Sequence, residues 1–321
     1  MDNSKELIAR VLDDDDKGAI ARLISIVERP ASREREELEL WLAAQAETGF
    51  VVGMTGAPGS GKSTLVDRLI SQIRTSDERV AVLAVDPSSP FSGGAILGDR
   101  VRMQNHTQDA GVYIRSLATR GHLGGLTVAV PRIVRLLEAL RFPWVVIETV
   151  GVGQVEIEIT GEADATVVVI NPGWGDSIQA NKAGLMEIAD IFVINKADRA
   201  GVRDTRRDLE NMLELGAHDH RPPIVETVAT GGDGVEALFE ALVQLKVRLE
   251  ESGELANRRA TRRLAEFDRL VMSTLRSTVE SLAERTNLRD RVREGSMTPV
   301  TAAAELIEMI KISSNEEEGG R

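Results

Sequence analysis

Apolar residues recur at three- and four-residue spacing from the start of the chain. Leu7, Ile8, Val11 and Leu12, then Ile20, Leu23, Ile24 and Val27, mark one side of successive helices. Pro30 interrupts the pattern, and Glu34 to Ala46 starts another helix, so residues 1–48 read as an N-terminal helical segment. The acidic run Asp13–Asp16 before Lys17 reads as a solvated helix end or turn, because the helical period continues on both sides.

From about residue 49 the period changes. Short β-branched runs alternate with helical stretches: Phe50–Thr55, Arg79–Val85, Val112–Arg115, Trp144–Thr149, Ala165–Ile170, Ile191–Asn195 and Ile224–Val228. Several of these runs are apolar throughout, as strands buried on both faces of a parallel sheet should be. The alternation predicts an α/β, doubly wound, mostly parallel core over residues 49–253. Residues 254–321 carry no strand signal. They read as one long charged helix to about Glu294, a break at Gly295, a further helix from Pro299 with Thr298 as its N-cap, and a disordered tail SSNEEEGGR. Leu264, Phe267, Leu270, Val271 and Leu275 form a stripe along the long helix, fit either for a dimer seam or for docking on the chain's own core. Its arginines Arg258, Arg259, Arg262, Arg263 and Arg269 read as a solvated face paired with nearby acids.

Composition narrows the chemistry. The 321 residues include no cysteine and four histidines, which excludes thiolate metal sites, disulfides and a cysteine nucleophile. His218 and His220 flank Asp219 in a polar loop, a weak candidate for metal. Lys+Arg 39 against Asp+Glu 51 gives a net charge of −12, and aromatics are 3%, a poor profile for nucleic acid. The N-terminus has no apolar core of signal-peptide length, and no stretch approaches the ~18 apolar residues that span a bilayer. The expectation is a cytoplasmic protein without membrane or nucleic-acid partners, working through oxygen, amide and lysine groups.

Such groups suffice for a phosphate site. Gly56-Ala57-Pro58-Gly59-Ser60-Gly61-Lys62-Ser63-Thr64 follows the strand at Phe50–Thr55 and precedes an amphipathic helix carrying Leu65, Val66, Leu69 and Ile70. This is GxxxxGKS in its strand–loop–helix context. The glycines turn consecutive N–H groups inward, and with the helix N-terminus these form an anion site. Lys62 is placed to reach the β- and γ-phosphates, and the Ser63 hydroxyl to ligand Mg²⁺.

Asn195-Lys196-Ala197-Asp198 follows the apolar strand Ile191–Ile194, at a strand's C-terminal end where α/β sheets bind ligands. A carboxylate at Asp198 accepts both N1–H and the exocyclic amine of guanine, which selects GTP over ATP. Ala229-Thr230, after the strand Ile224–Val228, offers a backbone N–H toward the guanine O6. Glu148, on the strand Trp144–Thr149, is a candidate Mg²⁺ ligand, direct or through water. The Gly151 N–H is placed to meet a γ-phosphate. Asp86 and Asp99, flanking a glycine-rich segment, are candidates for the metal shell or for orienting the attacking water, or else are plain caps.

GAPGSGKST, VDPSSPFSGGAILGDRVRM, ETVGVGQVEIEI, NPGWGDSIQANKAG and NKAD, in this order and spacing, resemble the methylmalonyl-CoA mutase-associated GTPases (MeaB/MMAA type), once labelled arginine/ornithine transport ATPases. The resemblance covers nearly the whole chain. It implies a P-loop NTPase fold with N-terminal helices and a C-terminal dimerisation arm, and GTP/GDP and Mg²⁺ as ligands. It also implies an adenosylcobalamin-dependent acyl-CoA mutase as partner, whose cofactor loading the GTPase gates and which it protects. By the same resemblance Asp86, Asp99 and Glu148 form the acidic cluster around the metal, and Gln154 is a candidate for orienting water. Asn171–Lys182 aligns with a mobile loop that answers to the mutase. Trp174 in that loop is either a partner anchor or packed on the sheet. Arg102 and Arg120 are candidates to approach the phosphates. Two other readings remain, a nickel metallochaperone GTPase and a nucleotide kinase tied to basic amino-acid transport. The absence of cysteine weighs against the first.

Overall fold

The computed structural model describes residues 4–29, 32–86, 104–118, 129–149, 161–173, 187–215 and 221–318. Seven strands form one sheet: β1 (Phe50–Thr55), β2 (Val80–Asp86), β3 (Val112–Ala118), β4 (Trp144–Thr149), β5 (Ala165–Ile170), β6 (Ile191–Asn195) and β7 (Ile224–Thr227). Their order is β3-β2-β4-β1-β5-β6-β7, and the six pairings are parallel. All seven expected runs are strands. β3 is longer than expected, reaching Ala118. β7 ends earlier, at Thr227, because Val228 turns back to bridge Asp233.

Alternate strand residues feed two layers. On one face Val51, Ala81, Leu83, Val145 and Ile147 pack with α1 (Ser4–Asp14), α2 (Lys17–Glu28), α3 (Arg33–Ala43) and α5 (Val130–Ala139). On the other, Phe50, Val52, Met54, Val82, Val146, Val167 and Val193 pack with α4 (Lys62–Arg74) and α7 (Val235–Glu251). Val168, Ile170, Phe192 and Ile194 meet α6 (Val202–Leu215) in a smaller cluster. The N-terminal helices are therefore part of the core: Leu7, Val11, Ile20, Leu23 and Ile24 are buried with the sheet residues. The acidic run forms a turn. Asp15 takes a positive φ, and Asp16 caps α2 by accepting from the Gly18 and Ala19 N–H groups.

The C-terminal helices are α8 (Glu254–Arg285), α9 (Leu288–Arg293) and α10 (Pro299–Glu318). The long helix does not run unbroken to Glu294. Asn287, at φ 51, ends it one segment early, a left-handed conformation that asparagine tolerates. Gly295 takes the second break, and Thr298 caps α10 through the Thr301 N–H at 3.2 Å. The helix continues to Glu318 rather than fraying at Ser313, because extending a formed helix carries no nucleation cost and glutamate is a good helix former. Two compact units result, 1–262 and 263–321.

The first turns of α8 belong with the sheet. Arg258, Arg259 and Arg262 do not form a solvated face; they clamp the N-terminal ends of β1, β5 and β6. Asp164, buried before β5, accepts from Arg259 at 2.9 Å, from Arg262 at 3.2 Å and from the Val51 N–H at 3.0 Å. Arg258 forks onto Asp190 at 2.8 and 3.0 Å. Burial pulls the Arg258 guanidinium down, but the hydrogen bonds and charges of Asp190 and Glu254 outweigh it and its pKa is raised. The sequence pattern missed this because the periodicity of a charged helix does not tell which charges meet partners.

Candidate nucleotide site

The site lies at the opposite, C-terminal edge of the sheet, near β1 and β4, where the strand order reverses direction. β1 delivers the chain into the glycine-rich loop and α4 leads out of it. Gly56 sits at φ 136, where an added Cβ would lie 2.0 Å from the Val169 carbonyl of β5; only glycine passes so close to that backbone. Gly61, at φ 93, starts α4, and a Cβ there would meet Asn195 Nδ2 at 2.3 Å.

Lys62 and Ser63 are buried at the start of α4. The Lys62 ammonium donates to the carbonyls of Gly56 and Ala57, so it lies back across its own loop. The Ser63 hydroxyl donates to Glu148 Oε1 at 2.6 Å. Glu148 is buried near the end of β4, in register with Met54 of β1 and Ala84 of β2. A serine hydroxyl and a carboxylate brought together by two elements are hard oxygen donors of the kind Mg²⁺ takes, so this pair fits the metal. Thr55 Oγ1 and Ser60 Oγ, both buried beside the loop, have no hydrogen-bond partner among the described residues. Ala57 is half-buried, Pro58 and Gly59 are exposed, and Thr64 is half-buried on the first turn of α4.

Asp86 closes β2 at the same edge, one residue beyond the Val85–Thr149 register pair. Its side chain lies outside the described residues, as do Asp99, Gly151, Gln154, Trp174, Arg102, Arg120 and the His218–His220 loop. Of the three expected acids, Glu148 is thus the one whose carboxylate is placed.

Asn195 ties the guanine-box loop to the phosphate loop. Its Nδ2 donates to the Ser60 carbonyl at 2.8 Å, and its Oδ1 accepts from Thr227 Oγ1 and from the Ala229 N–H, both at 3.1 Å. Lys196, at positive φ, donates to the Gly59 carbonyl at 2.6 Å. The Ala197 N–H donates to the Thr227 carbonyl at 3.0 Å, which sets the β6 and β7 exits side by side. Asp198 and Thr230 are exposed, while Ala229 is buried. The sequence missed Thr227, Asn171 and Arg68. Asn171 Nδ2 reaches the Gly59 carbonyl at 3.4 Å. Arg68, on α4, donates to the carbonyls of Ala229 and Thr230. An arginine on a helix's polar side gives no sequence signal of the loop it meets.

A glycine-rich loop with its lysine and serine, a carboxylate on the serine, and an NKxD turn bonded to that loop define a P-loop GTPase, an enzyme that binds guanine nucleotide and hydrolyses GTP. Residues 20–284 match the family described as methylmalonyl-CoA mutase-associated GTPase MeaB, and the chain belongs to that family. It is similar to a Pyrococcus horikoshii protein assigned as a GTPase, at 45% identity over 95% of this chain and 98% of that one. A mouse protein described as a mitochondrial methylmalonic aciduria type A homolog is 32% identical over 92% of this chain and 77% of its own length. A solved structure titled LAO/AO transport system kinase shares the fold with a TM-score of 0.68 at 24% identity, covering 96% of this chain and 98% of that one. Among the described residues no helix is long and apolar enough to cross a membrane.

Proposed function

We propose that this chain is a Mg²⁺-dependent GTPase that serves an adenosylcobalamin-dependent acyl-CoA mutase, methylmalonyl-CoA mutase or a relative, in the cytoplasm. It couples GTP hydrolysis to cofactor loading and protects the mutase. The observation that carries this reading is the match to the mutase-associated family over residues 20–284.

Within it, the N–H groups of Gly56–Thr64, Pro58 excepted, cradle the phosphates, and Lys62 turns from its loop carbonyls to the β- and γ-oxygens. Asp198 reads guanine and Asn195 holds that reader to the loop. Ser63 and Glu148, with Asp86 and Asp99, would hold Mg²⁺, which neutralises charge on the phosphates. Hydrolysis is an in-line attack of water on the γ-phosphorus, the water being oriented by Gln154 or Asp86. The bond to the bridging oxygen breaks, leaving GDP and inorganic phosphate. The Gly151 N–H meets the γ-phosphate and relaxes after its release. The arm beyond Arg262, where Leu264, Phe267 and Leu275 are exposed, serves as the homodimer seam.

Pull-down of a purified mutase, with the GTPase held in a non-hydrolysable GTP analogue or in GDP, tests the reading. Nucleotide-dependent capture is the expected result. Absence of capture in both states refutes it.

A further inference from the structure

Arg68 joins α4 to the turn after β7. Its Nε donates to the Ala229 carbonyl at 3.1 Å and its Nη2 to the Thr230 carbonyl at 3.0 Å. The other side of the same turn is held by Asn195, which accepts the Ala229 N–H at 3.1 Å. Ala229 is therefore gripped at both its N–H and its carbonyl.

The peptide joining Ala229 to Thr230 is planar and trans, like every other described peptide bond in the chain, so fixing its carbonyl fixes the direction of the Thr230 N–H. The neighbouring amides are engaged within the turn. Val228 donates to the Asp233 carbonyl at 3.0 Å, and Gly231 and Gly232 donate to the Val228 carbonyl at 2.9 and 2.8 Å. The turn is rigid on its far side, and its near side is oriented from α4. That helix begins with Lys62 and Ser63.

We propose that Arg68 is a positioning residue for base recognition. It holds the Ala229–Thr230 turn at the register where a backbone N–H reads the guanine 6-oxo group. Base affinity then depends on the helix that carries the phosphate contacts. The proposal rests on the guanine-box reading of Asn195–Asp198. A guanidinium suits this task because its two donors reach adjacent carbonyls in a fixed fork.

The experiment compares GDP with the diphosphate of 2-aminopurine riboside, which lacks the 6-oxo group and with it the N1–H but keeps the exocyclic amine, by titration calorimetry on the full chain in Mg²⁺ buffer. Wild type, Arg68→Ala, Arg68→Lys and Asp198→Asn are measured, each with an unfolding midpoint. For Arg68→Ala, GDP affinity should fall about tenfold, the size of one lost charge-assisted bond. Affinity for the analogue should change by less than about twofold, and Arg68→Lys should recover part of the loss. Equal loss for both nucleotides would show that Arg68 only supports the helix, and no loss for either would show that it positions nothing. Both outcomes overturn the proposal. If Asp198→Asn leaves GDP affinity unchanged, the guanine-box reading itself fails and the proposal falls with it, irrespective of the Arg68 data.

Discussion

Replacing Asn195 with alanine tests how the site is held together. Asn195 is 1% exposed and makes three hydrogen bonds, to the Ser60 carbonyl, Thr227 Oγ1 and the Ala229 N–H. Truncation leaves all three groups beside a gap of side-chain size. Each unsatisfied buried group costs about 1–3 kcal/mol, and water entering the gap recovers part of this. A net loss of about 3 kcal/mol follows. For a unit of this size that is a fall of roughly 6–12 °C in midpoint temperature. The loop 56–61 also loses one of its two ties to the NKxD turn, keeping only the Lys196 bond to the Gly59 carbonyl, so GDP affinity should fall by about tenfold. Thermal unfolding followed by far-UV dichroism, with GDP titration well below the variant's midpoint, gives both readouts. A midpoint within about 2 °C of wild type would refute the claim that these three bonds hold the NKxD turn to the phosphate loop and to the β7 exit.

Lys62→Ala should weaken GTP-analogue binding about a hundredfold, the loss of two charge-assisted contacts to phosphate; wild-type affinity would contradict its role. Burial pushes Glu138 up to about 7 from an ordinary 4.5, against the pull of Arg259 and Arg262 and with help from Asp164 and Glu47. The folded state then binds the extra proton between those values. Stability should therefore decline by up to about 3 kcal/mol as pH rises from 4.5 to 7, and Glu138→Gln should remove the decline. Identical pH profiles for the two proteins would refute this. Cutting the chain after Arg262 should leave a folded, nucleotide-binding monomer by light scattering, and a dimer would place the seam elsewhere. Cutting before Arg258 should instead destabilise the core by about 3–5 kcal/mol, because Asp164 and Asp190 lose their cations, and urea unfolding reads the difference.

Local chemistry made much of this legible from the sequence. Period and composition placed all seven strands within a few residues, since strands buried on both faces are apolar throughout. Gly56, Gly61, Lys62 and Ser63 were identifiable because they stand at the GxxxxGKS spacing that a phosphate cradle needs. Glu148 was identifiable as an acid closing an apolar strand. Asn195 was identifiable as the first residue of an NKxD turn after an apolar strand, though the partners of its amide were not.

Contacts between residues far apart in sequence were decided only by the tertiary structure. The Ser63–Glu148 bond spans 85 residues and exists because β4 lies beside β1 in the sheet. Arg68 meets Ala229 across 161 residues, and nothing in its own helix points there. Arg258, Arg259 and Arg262 look like a solvated stripe in one dimension. They become a largely covered clamp, with Arg262 buried and Arg258 and Arg259 half-buried, because the start of α8 lies against the N-terminal ends of β5 and β6, where Asp164 and Asp190 wait. A chain's order sets which backbone can form each element. Which side chains share a low-dielectric neighbourhood depends on strand order, and no linear pattern records that.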